Sequence, residues 1–334
     1  MGTTLLLAFN FPPLGGGIAR WMGELALRYP PRSLLVSTGR HGGSDASDPR
    51  FPQPIDHVAI RATRLRTLNG LALWTARQLL GGAAVVVANS RWTADLARSV
   101  LSALGRPALA RDVRVVPLGT TPSHFRPGID PRPVRAKYGL DGGPWLLTVS
   151  RLDTHKGIDT VIRALPAVRA AFPAVRYAVA GVGSRGPEFA RLAAELGLED
   201  AVKFLGFVAD AELPAVYNAA DLYVGASRRY DLLAEGFGIA LVEASACGLA
   251  VVAGDSGGVA DAVRDGETGI LVDPDDPAAV AAGITRLLAD DAARRRMGAA
   301  GRRAVETRYN WDRVAADVIR IDGEFRRGPP LGAR

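Results

Sequence analysis

Short apolar runs recur along the whole chain, and each is followed by glycine or polar residues and then by a helical pattern. The runs are apolar throughout instead of alternating, which is typical of strands buried on both faces of a parallel sheet. They are "TLLLAF", "SLLVST", "HVAI", "AAVVVAN", "VRVVPLG", "WLLTVS", "VRYAVAG", "VKFLGFV", "DLYVGAS", "LAVVAG" and "GILVD". The helical patterns between them include "IARWMGELALRY", "TADLARSVLSAL", "GPEFARLAAELGL" and "PAAVAAGITRLLADDAARRRMGAAG". This alternation predicts an α/β fold with doubly wound parallel sheets.

A proline-rich stretch near the middle of the chain predicts a domain boundary. "LGTTPSHFRPGIDPRPVRAKYGLDGGP" contains five prolines and no apolar periodicity, and it lies between two strand-like runs. We predict a first domain over residues 1–121, a linker over 122–143, a second domain over 144–308, and a final helix and tail over 309–334. Two such domains would face each other across a cleft lined by strand-to-helix loops, because parallel sheets bind ligands at the carboxyl ends of their strands.

The chain is strongly basic, with a formal net charge of +7 and a pI of about 10.0. Nine arginines lie between Arg61 and Arg114 against two aspartates, so the first domain should carry much of the positive charge. An arginine-rich solvated surface explains the same numbers, as does an anionic small ligand or an anionic membrane surface. Nucleic acid is not an expected partner, because no basic run has interleaved aromatic residues.

A single cysteine, Cys247, cannot form an internal disulfide, and no zinc-ligand spacing is present. Its small apolar neighbours predict that it is buried in a core. The N-terminal "MGTTLLLAF" lacks the features of a signal peptide, and no apolar run reaches the roughly 18 residues of a membrane-spanning helix. We therefore expect a cytoplasmic protein. Peripheral contact with the inner face of the cell membrane stays open.

Two loops that follow predicted strands carry candidate anion-binding residues. The run Gly15–Gly17 opens a helix after the first strand, where backbone N–H groups favour a phosphate; a plain tight turn is the alternative. Arg151 and Lys156 follow the first strand of the second domain, and Gly157 leads into a helix. A guanidinium fork and an ammonium suit a diphosphate, although surface charge would give the same residues. His155 is predicted to be a surface neighbour of Lys156.

The residues Gly181, Gly183 and Gly186 match the dinucleotide-binding fingerprint only formally. The match follows the second strand of its domain, not the first. The acidic pair Glu199 and Asp200 precedes the next strand, whereas the ribose carboxylate of that fingerprint follows it. NAD binding is therefore not expected.

The stretch "EGFGIALVEASACGLAVVAGDSGGVADAV" combines a glycine-spaced loop with two carboxylates. Gly236 and Gly238 precede a helix whose N-terminal N–H groups favour an anion. Glu235 and Glu243 invite comparison with a glycosidase pair, but eight helical residues rise about 12 Å, beyond the roughly 6.5–9.5 Å of an inverting pair. We expect instead that Glu243 accepts hydrogen bonds from ribose hydroxyls and that Glu235 contacts a sugar. The following "GDSGG" would supply further backbone donors.

Together these residues resemble the large family four of retaining glycosyltransferases. The resemblance rests on Glu235 and Glu243 in the stretch above and on "SRLDTHKGIDTVIRAL", "LGFV" and "GETGILVDPDDPAAVAAGI". It covers nearly all of residues 110–320, and "PPLGGGIARW" also fits. The resemblance implies the GT-B fold, with two facing Rossmann-like domains. Within the family the chain is similar to the phosphatidylinositol mannosyltransferase and hexosyltransferase group, which implies GDP-mannose as the favoured donor.

The resemblance also implies roles for individual residues. Arg151 and Lys156 would bind the donor diphosphate and stabilise it as the leaving group. Glu235 would hold the donor sugar at the catalytic centre, and Glu243 would hold the ribose. No metal or other cofactor would be needed, because the cations and helix ends neutralise the diphosphate. Further donor contacts would come from the backbone of Val208, Phe237, Gly238 and Ile239, and from Gly16 and Gly17 in the first domain.

One departure from the family concerns the first domain. The family carries a further strand there with a histidine that contacts the donor sugar, whereas "RTLNGLALWTARQLLGGAAVVVANSRW" has no such histidine. The first domain is therefore expected to be shortened, and the missing strand would lie beside the first strand. Two alternatives stay open. The chain is either a glycosyltransferase that acts on an acceptor hydroxyl, for which a lipid-linked acceptor is one option, or a non-catalytic relative that binds a nucleotide sugar and has lost part of its acceptor domain.

Overall fold

The computed structural model describes residues 4–8, 17–31, 34–39, 48–53, 55–58, 83, 85–231 and 233–326. The chain divides into two compact units. The first unit combines Met1–Leu118 with Trp311–Arg334, and the second spans Gly119–Asn310. In both units the strands pair in parallel, as the apolar runs predict.

The described residues of the first unit form two parallel sheets. Three strands pair in the order of the chain: β1 (Thr4–Ala8), β2 (Leu34–Gly39) and β3 (Ile55–Val58). A separate pair joins β4 (Val87–Ala88) to β5 (Arg114–Val115). Within the described residues β1 pairs only with β2, and β4 pairs only with β5. The segment "LNGLALWTARQLL", where the family resemblance implies a missing strand, lies outside the described residues.

Within the described part of residues 1–118, two helices follow the predicted patterns and one short helix does not. The first two are α1 (Gly17–Arg28) and α2 (Arg91–Ala103), and the third is α3 (Pro107–Arg111). The N-terminus of α2 is a capping box, in which Ser90 and Thr93 each bond the other's backbone N–H through a side-chain oxygen. Buried Leu101 of α2 packs with Val113 in a small apolar core.

The second unit is built on one six-stranded parallel sheet. Its strands are β6 (Trp145–Val149), β7 (Arg176–Ala180), β8 (Val202–Gly206), β9 (Leu222–Gly225), β10 (Val251–Gly254) and β11 (Gly269–Val272). They lie in the order β11-β10-β9-β6-β7-β8. Strand order therefore reverses at β6, whose neighbours are β9 and β7. Every residue of β9 and β10 is buried, as expected for strands covered on both faces.

Helices cover this sheet and form its core. They are α4 (Arg132–Tyr138), α5 (Ile158–Ala171), α6 (Gly186–Glu195), α7 (Leu213–Asn218), α8 (Ile239–Ala246), α9 (Pro277–Ala289) and α10 (Asp291–Thr307). The main apolar cluster joins buried side chains of α5 and α9 to those of the central strands. Cys247 is buried at the end of α8, as predicted. Burial raises the pKa of its thiol to about 12, and the nearby Glu243 carboxylate adds to that rise.

Two details differ from the sequence pattern. The apolar periodicity from residue 277 to 301 suggests one helix, but the chain forms α9 and α10, which are separated at Asp290. The Asp290 carboxylate accepts a hydrogen bond from Ala293 N, which caps the second helix. In the stretch predicted as a linker, α4 forms within the second unit. Arg302 holds the start of that stretch, with Nη1 2.8 to 3.0 Å from the carbonyl oxygens of Pro122, Phe125 and Ala246.

The last helix, α11 (Trp311–Arg326), belongs to the first unit. Ala315 of α11 is buried in a cluster with Leu25 and Ala26 of α1. Arg28 of α1 donates to the Asp312 carboxylate at 2.7 Å. Within the described part of the chain, no helix combines the length and the apolar character that crossing a bilayer requires.

Candidate functional site

Three loops of the second unit meet at the carboxyl ends of the neighbouring strands β10, β9 and β6. The loop after β6 contains Gly157, which has a φ of +65°, and a Cβ there would lie 1.8 Å from the carbonyl oxygen of Ala226 after β9. Arg228 N donates to the His155 carbonyl at 2.8 Å, which joins the same two loops. Gly258, after β10, donates its N–H to the Glu235 carbonyl at 2.8 Å. Close backbone contacts and hydrogen bonds therefore hold the three loops together.

An ion pair lies where the β6 and β9 loops meet. Lys156 Nζ is 2.6 Å from Glu235 Oε2, and the side chains are only 16% and 20% exposed. Ser227 Oγ lies 3.5 Å from the same carboxylate oxygen. Burial raises the pKa of Glu235, but the Lys156 charge and its hydrogen bond outweigh that effect, so the pKa lies below the ordinary value. At neutral pH this carboxylate is charged and paired.

Arg151 occupies a different environment from Lys156, although both residues follow β6. Its side chain is 72% exposed, and Nη1 lies 3.9 Å from a carboxylate oxygen of Asp153. That separation is too long for a hydrogen bond, so the guanidinium is held only by weak, solvent-screened attraction. Lys156 is thus a fixed cation, whereas Arg151 extends into solvent beside it.

The prediction that His155 is a surface residue is wrong. The residue is 4% exposed, and its Nδ1 has no hydrogen-bond partner among the described residues, with an Asp153 carboxylate oxygen 3.6 Å away. Burial lowers the pKa of His155 and the Lys156 charge lowers it further, although Asp153 and Glu235 oppose these effects. The chain turns sharply here in a short 3-10 helix, Thr154–Lys156, which directs the ring inward and Lys156 toward Glu235.

Glycines fix the geometry around Glu235 and the start of α8. Gly238 is the N-cap of α8 with a φ of 95°, a conformation that side chains disfavour. A Cβ on Gly257 would lie 2.3 Å from the Glu235 carbonyl oxygen. Phe237, directly before Gly238, is 1% exposed, with its ring 6.0 Å from the ring of Tyr309. The "GDSGG" loop, expected to supply backbone donors, uses one of them, Gly258 N–H, to hold the Glu235 segment.

Glu243 has a surrounding distinct from that of Glu235. It lies on α8 and is 3% exposed, and its Oε2 accepts a hydrogen bond from the Tyr217 hydroxyl at 2.8 Å. Tyr217 belongs to α7 and is fully buried. The two glutamates of the motif are therefore held by different partners: Glu235 by Lys156 and Glu243 by Tyr217.

Sequence reasoning missed Arg228, which ties the β9 loop to α5. Its guanidinium donates to Asp159 at 2.8 Å and to the Thr160 hydroxyl at 2.7 Å, and the side chain is 13% exposed. The adjacent residue, Ser227, faces Glu235. The only sequence signal for this role is the pair Arg228 and Arg229 in a strand-end loop, and the sequence does not indicate which of the two side chains turns inward.

The glycines of the formal dinucleotide match have a packing explanation. A Cβ on Gly181 would lie 1.9 Å from the Ser150 carbonyl oxygen, and one on Gly183 would lie 2.3 Å from that of Leu152. Both glycines allow the β7 loop to pass against the β6 loop. No dinucleotide is needed to explain them.

The remaining predicted contact residues are distributed as follows. Val208 follows β8 and is buried, and Ile239 is the first residue of α8. Gly17 is the first residue of α1 in the first unit, and Gly16 lies outside the described residues. Chemically, the second unit offers a fixed ammonium, an exposed guanidinium and the N-terminal N–H groups of α8. This combination suits an oxygen-rich anion with hydroxyl groups beside it.

Comparison with known proteins agrees with this chemistry. Residues 132–304 match the family described as glycosyl transferases group 1. A GDP-mannose-dependent alpha-(1-6)-phosphatidylinositol monomannoside mannosyltransferase of Mycobacterium tuberculosis is 31% identical over 384 residues, covering 98% of this chain and 99% of that protein. Since 384 exceeds the 334 residues of this chain, that relative has stretches without a counterpart here.

Two further similarities extend the comparison. A D-inositol 3-phosphate glycosyltransferase of Acidothermus cellulolyticus is 36% identical over 260 residues, covering 73% of this chain and 55% of that protein. Among solved structures, HepE of Anabaena in complex with UDP and glucose has a TM-score of 0.76 and 20% identity, covering 96% of this chain and 100% of that chain. At that identity the likeness supports the GT-B fold.

Proposed function

The chain belongs to the glycosyl transferases group 1 family, and we propose that it is a retaining hexosyltransferase that moves mannose from GDP-mannose to an acceptor hydroxyl. The observation that carries the proposal is the mostly buried pair of Lys156 and Glu235 at the carboxyl ends of β6 and β9. A nucleotide-diphospho-sugar offers both an anion for the ammonium and hydroxyl groups for the carboxylate. The donor is supported by the name of the mycobacterial relative.

In this proposal the cations act on the leaving group. Lys156 and Arg151 bind the donor diphosphate, and the α8 N-terminus adds backbone N–H donors from Gly238 and Ile239. The bond between the sugar carbon and the phosphate oxygen breaks, and the phosphate leaves with the electron pair. The acceptor oxygen bonds to the same face of the sugar, and its proton passes to the departing phosphate oxygen. Fixed positive charge lowers the energy of this step because it needs no reorganisation.

The other predicted residues position the donor. Glu235 and the backbone at Phe237 hold the sugar, and Glu243 accepts hydrogen bonds from the ribose. Val208 meets the base through its backbone, and Gly16 and Gly17 close over the phosphates from the first unit. No metal is required in this arrangement. We expect EDTA to leave the transfer rate unchanged, and a rate restored only by added divalent metal would contradict this.

A lipid-linked acceptor at an anionic membrane surface is the version of the proposal that we favour. The acceptor lipid named for the mycobacterial relative supports it. The exposed side chains of Leu96 and Val100, one turn apart on α2, add an apolar stripe in the arginine-rich unit. Sedimentation with vesicles tests this: binding should rise with the fraction of anionic lipid, and binding independent of it would count against the proposal.

Donor binding and turnover test the core of the proposal. GDP-mannose should bind saturably in calorimetry, with UDP-glucose as comparator, and Glu243→Ala should abolish that binding. Lys156→Ala and Arg151→Ala should each lower turnover by about 10²-fold. Lys203→Ala and Arg191→Ala remove comparable cations from other surfaces of the second unit and should leave turnover unchanged. Unchanged turnover in both site variants would refute the diphosphate assignment.

A non-catalytic nucleotide-sugar-binding protein is the second candidate. The separate β1-β2-β3 and β4-β5 sheets of the described residues favour it, since the family resemblance implies a further strand beside β1 for which the sequence has no counterpart. Binding of GDP-mannose with neither transfer to membrane-lipid extracts nor donor hydrolysis would place this candidate first. Transfer that Lys156→Ala abolishes would exclude it.

A further inference from the structure

We propose that Tyr217 is a positioning residue for the donor nucleotide, acting through the Glu243 carboxylate to set which oxygen faces the ribose. The inference rests on the proposed function, in which Glu243 accepts hydrogen bonds from ribose hydroxyls. It adds a residue that touches no ligand atom itself. Its consequence is that recognition of the ribose depends on α7 as well as on α8.

The contact that carries this inference is short and buried. The Tyr217 hydroxyl lies 2.8 Å from Glu243 Oε2 and 3.4 Å from the Ala240 carbonyl oxygen. A phenol has one hydrogen to donate, and a charged acceptor at the shorter distance forms the stronger bond. Glu243 is 3% exposed and Tyr217 is fully buried, so water competes little for either group. The hydroxyl therefore donates to the carboxylate.

Protonation of the phenol supports the same direction of donation. Burial raises the pKa of Tyr217 well above its ordinary value, and the Glu243 charge raises it further. The hydroxyl stays protonated throughout the neutral range and remains a donor.

Packing alone does not account for this hydroxyl. The Tyr217 ring packs edge-on to Phe125, with centroids 5.7 Å apart, and lies 6.0 Å from the Tyr223 ring. A phenylalanine at position 217 would make the same ring contacts without a polar atom to satisfy. The tyrosine hydroxyl instead meets the one buried carboxylate on the facing side of α8, and a buried charge without such a donor is costly.

Fixing one carboxylate oxygen has a consequence for the other acceptor positions. A carboxylate has about four acceptor sites, and the phenol occupies one of them. Rotation of the carboxylate would break the Tyr217 bond, so the remaining sites keep fixed directions. A ribose hydroxyl that donates to a preorganised carboxylate loses less free energy to ordering than one that donates to a rotating carboxylate.

Ribose analogues test this role directly. Dissociation constants of GDP, 2′-deoxy-GDP and 3′-deoxy-GDP are measured by calorimetry for the unmodified chain, Tyr217→Phe and Glu243→Gln. Tyr177→Phe is the matched control, because Tyr177 is also fully buried but its hydroxyl bonds Thr148 at 2.7 Å instead of Glu243. We expect Tyr217→Phe to weaken GDP binding by about five- to twentyfold. We call the factor by which a deoxy analogue binds more weakly than GDP the deoxy penalty. Tyr217→Phe should reduce this penalty for the analogue that lacks the hydroxyl bound by Glu243, whereas Tyr177→Phe should leave it unchanged.

The outcomes separate this inference from the proposed function. Loss of the deoxy penalty in Glu243→Gln together with a full penalty in Tyr217→Phe would overturn the inference and leave the proposed function intact. A penalty that Glu243→Gln does not change would refute the ribose role of Glu243, and the inference would fall with it. A change in stability alone, without a change in the penalty, would mark Tyr217 as a packing residue.

A double variant covers the case in which Tyr217→Phe does not fold. Tyr217→Phe combined with Glu243→Gln removes the buried charge as well as the Tyr217 hydroxyl, so it should be tolerated better than the single change. If Tyr217 acts through the Glu243 carboxylate, the double variant should bind GDP only slightly more weakly than Glu243→Gln, because a neutral amide oxygen accepts a weaker hydrogen bond from the phenol than a carboxylate does. Binding about five- to twentyfold weaker than that of Glu243→Gln would contradict the inference.

Discussion

At the scale of single residues, the site depends on charges that are buried and paired. Lys156 and Glu235 are both mostly buried, so removing either one leaves an unpaired charge in a poorly solvated place. The same two charges are the ones proposed to bind the donor. Folding therefore favours a close Lys156–Glu235 pair, whereas donor binding requires the diphosphate to compete with Glu235 for Lys156.

The Glu235 carboxyl should make the free energy of unfolding depend on pH in an acidic range. Its pKa in the folded chain lies below the ordinary 4.5, so the folded chain binds this proton more weakly than the unfolded chain. The stabilisation is present above pH 4.5 and is lost as pH falls through the folded-state pKa. We expect urea unfolding to show a difference between the unmodified chain and Glu235→Gln that is constant near neutrality and shrinks below about pH 4.5.

A matched control for this measurement is Glu195→Gln. Glu195 is 62% exposed and lies 3.5 Å from Arg191 in a solvent-facing pair on α6. Surface pairs of this kind contribute little, so the difference between Glu195→Gln and the unmodified chain should stay small at every pH. A similar pH dependence in both variants would show that the effect does not come from the Lys156 pair.

At the scale of elements, the site depends on how closely the loops after β6 and β9 approach. Gly157 should be irreplaceable, because a Cβ there meets the Ala226 carbonyl oxygen at 1.8 Å. We expect Gly157→Ala to lower the free energy of unfolding by roughly 3 kcal/mol or more, since overpacking adds to left-handed strain. Urea unfolding measures this loss, and calorimetry should show weakened GDP binding because the loop that carries Lys156 is displaced from the position proposed for the diphosphate.

Gly197 provides a control with nearly the same backbone conformation. Its φ is +66° against +65° for Gly157, but a Cβ there would meet no heavy atom of the described residues within 4 Å. Gly197→Ala should therefore cost only the strain of a left-handed residue, about 1–2 kcal/mol. Equal losses in the two variants would mean that the loop contact contributes nothing.

The break between α9 and α10 gives a second prediction for elements. Asp290→Ala removes the oxygen that accepts from Ala293 N, and it should lower the free energy of unfolding by about 1 kcal/mol. Asp290→Asn keeps a side-chain oxygen at the cap and should retain most of the stability. Thermal unfolding of both variants checks this, and equal losses would show that charge, not capping, matters at this position.

Much of this architecture could be predicted from the sequence, because strand periodicity and strand-end glycines are local signals. The uniformly apolar runs indicate the parallel sheets, and the position of Lys156 after the first strand of its unit indicates a site at that sheet edge. The burial of His155 and the inward turn of Arg228 could not be predicted. Both depend on how the strand-end loops pack against one another, which local sequence does not determine. The end of α9 at Asp290 could not be predicted either, because the helical pattern continues through that residue.

At the scale of the whole molecule, the second unit has a complete sheet, covering helices and an apolar core of its own. Its six-stranded sheet, the helices on it and the main apolar cluster all come from residues 119–310. Arg302 and Gly119 show that the ends of this range are also held within the unit: a Cβ on Gly119 would lie 2.6 Å from the Asn310 backbone. The proposed donor contacts, apart from Gly16 and Gly17, lie in the same range.

This division predicts that residues 119–310 fold without the rest of the chain. The fragment should unfold cooperatively in urea, because its core is complete, and it should bind GDP within about tenfold of the full chain, since only the contacts from Gly16 and Gly17 are lost. It should transfer no sugar to a lipid-linked acceptor, because it lacks the first unit, which carries the apolar stripe of Leu96 and Val100 proposed to meet the membrane. Glu243→Gln should weaken GDP binding equally in the fragment and the full chain. A folded fragment that does not bind GDP, beside a full chain that does, would show that the donor site requires the first unit.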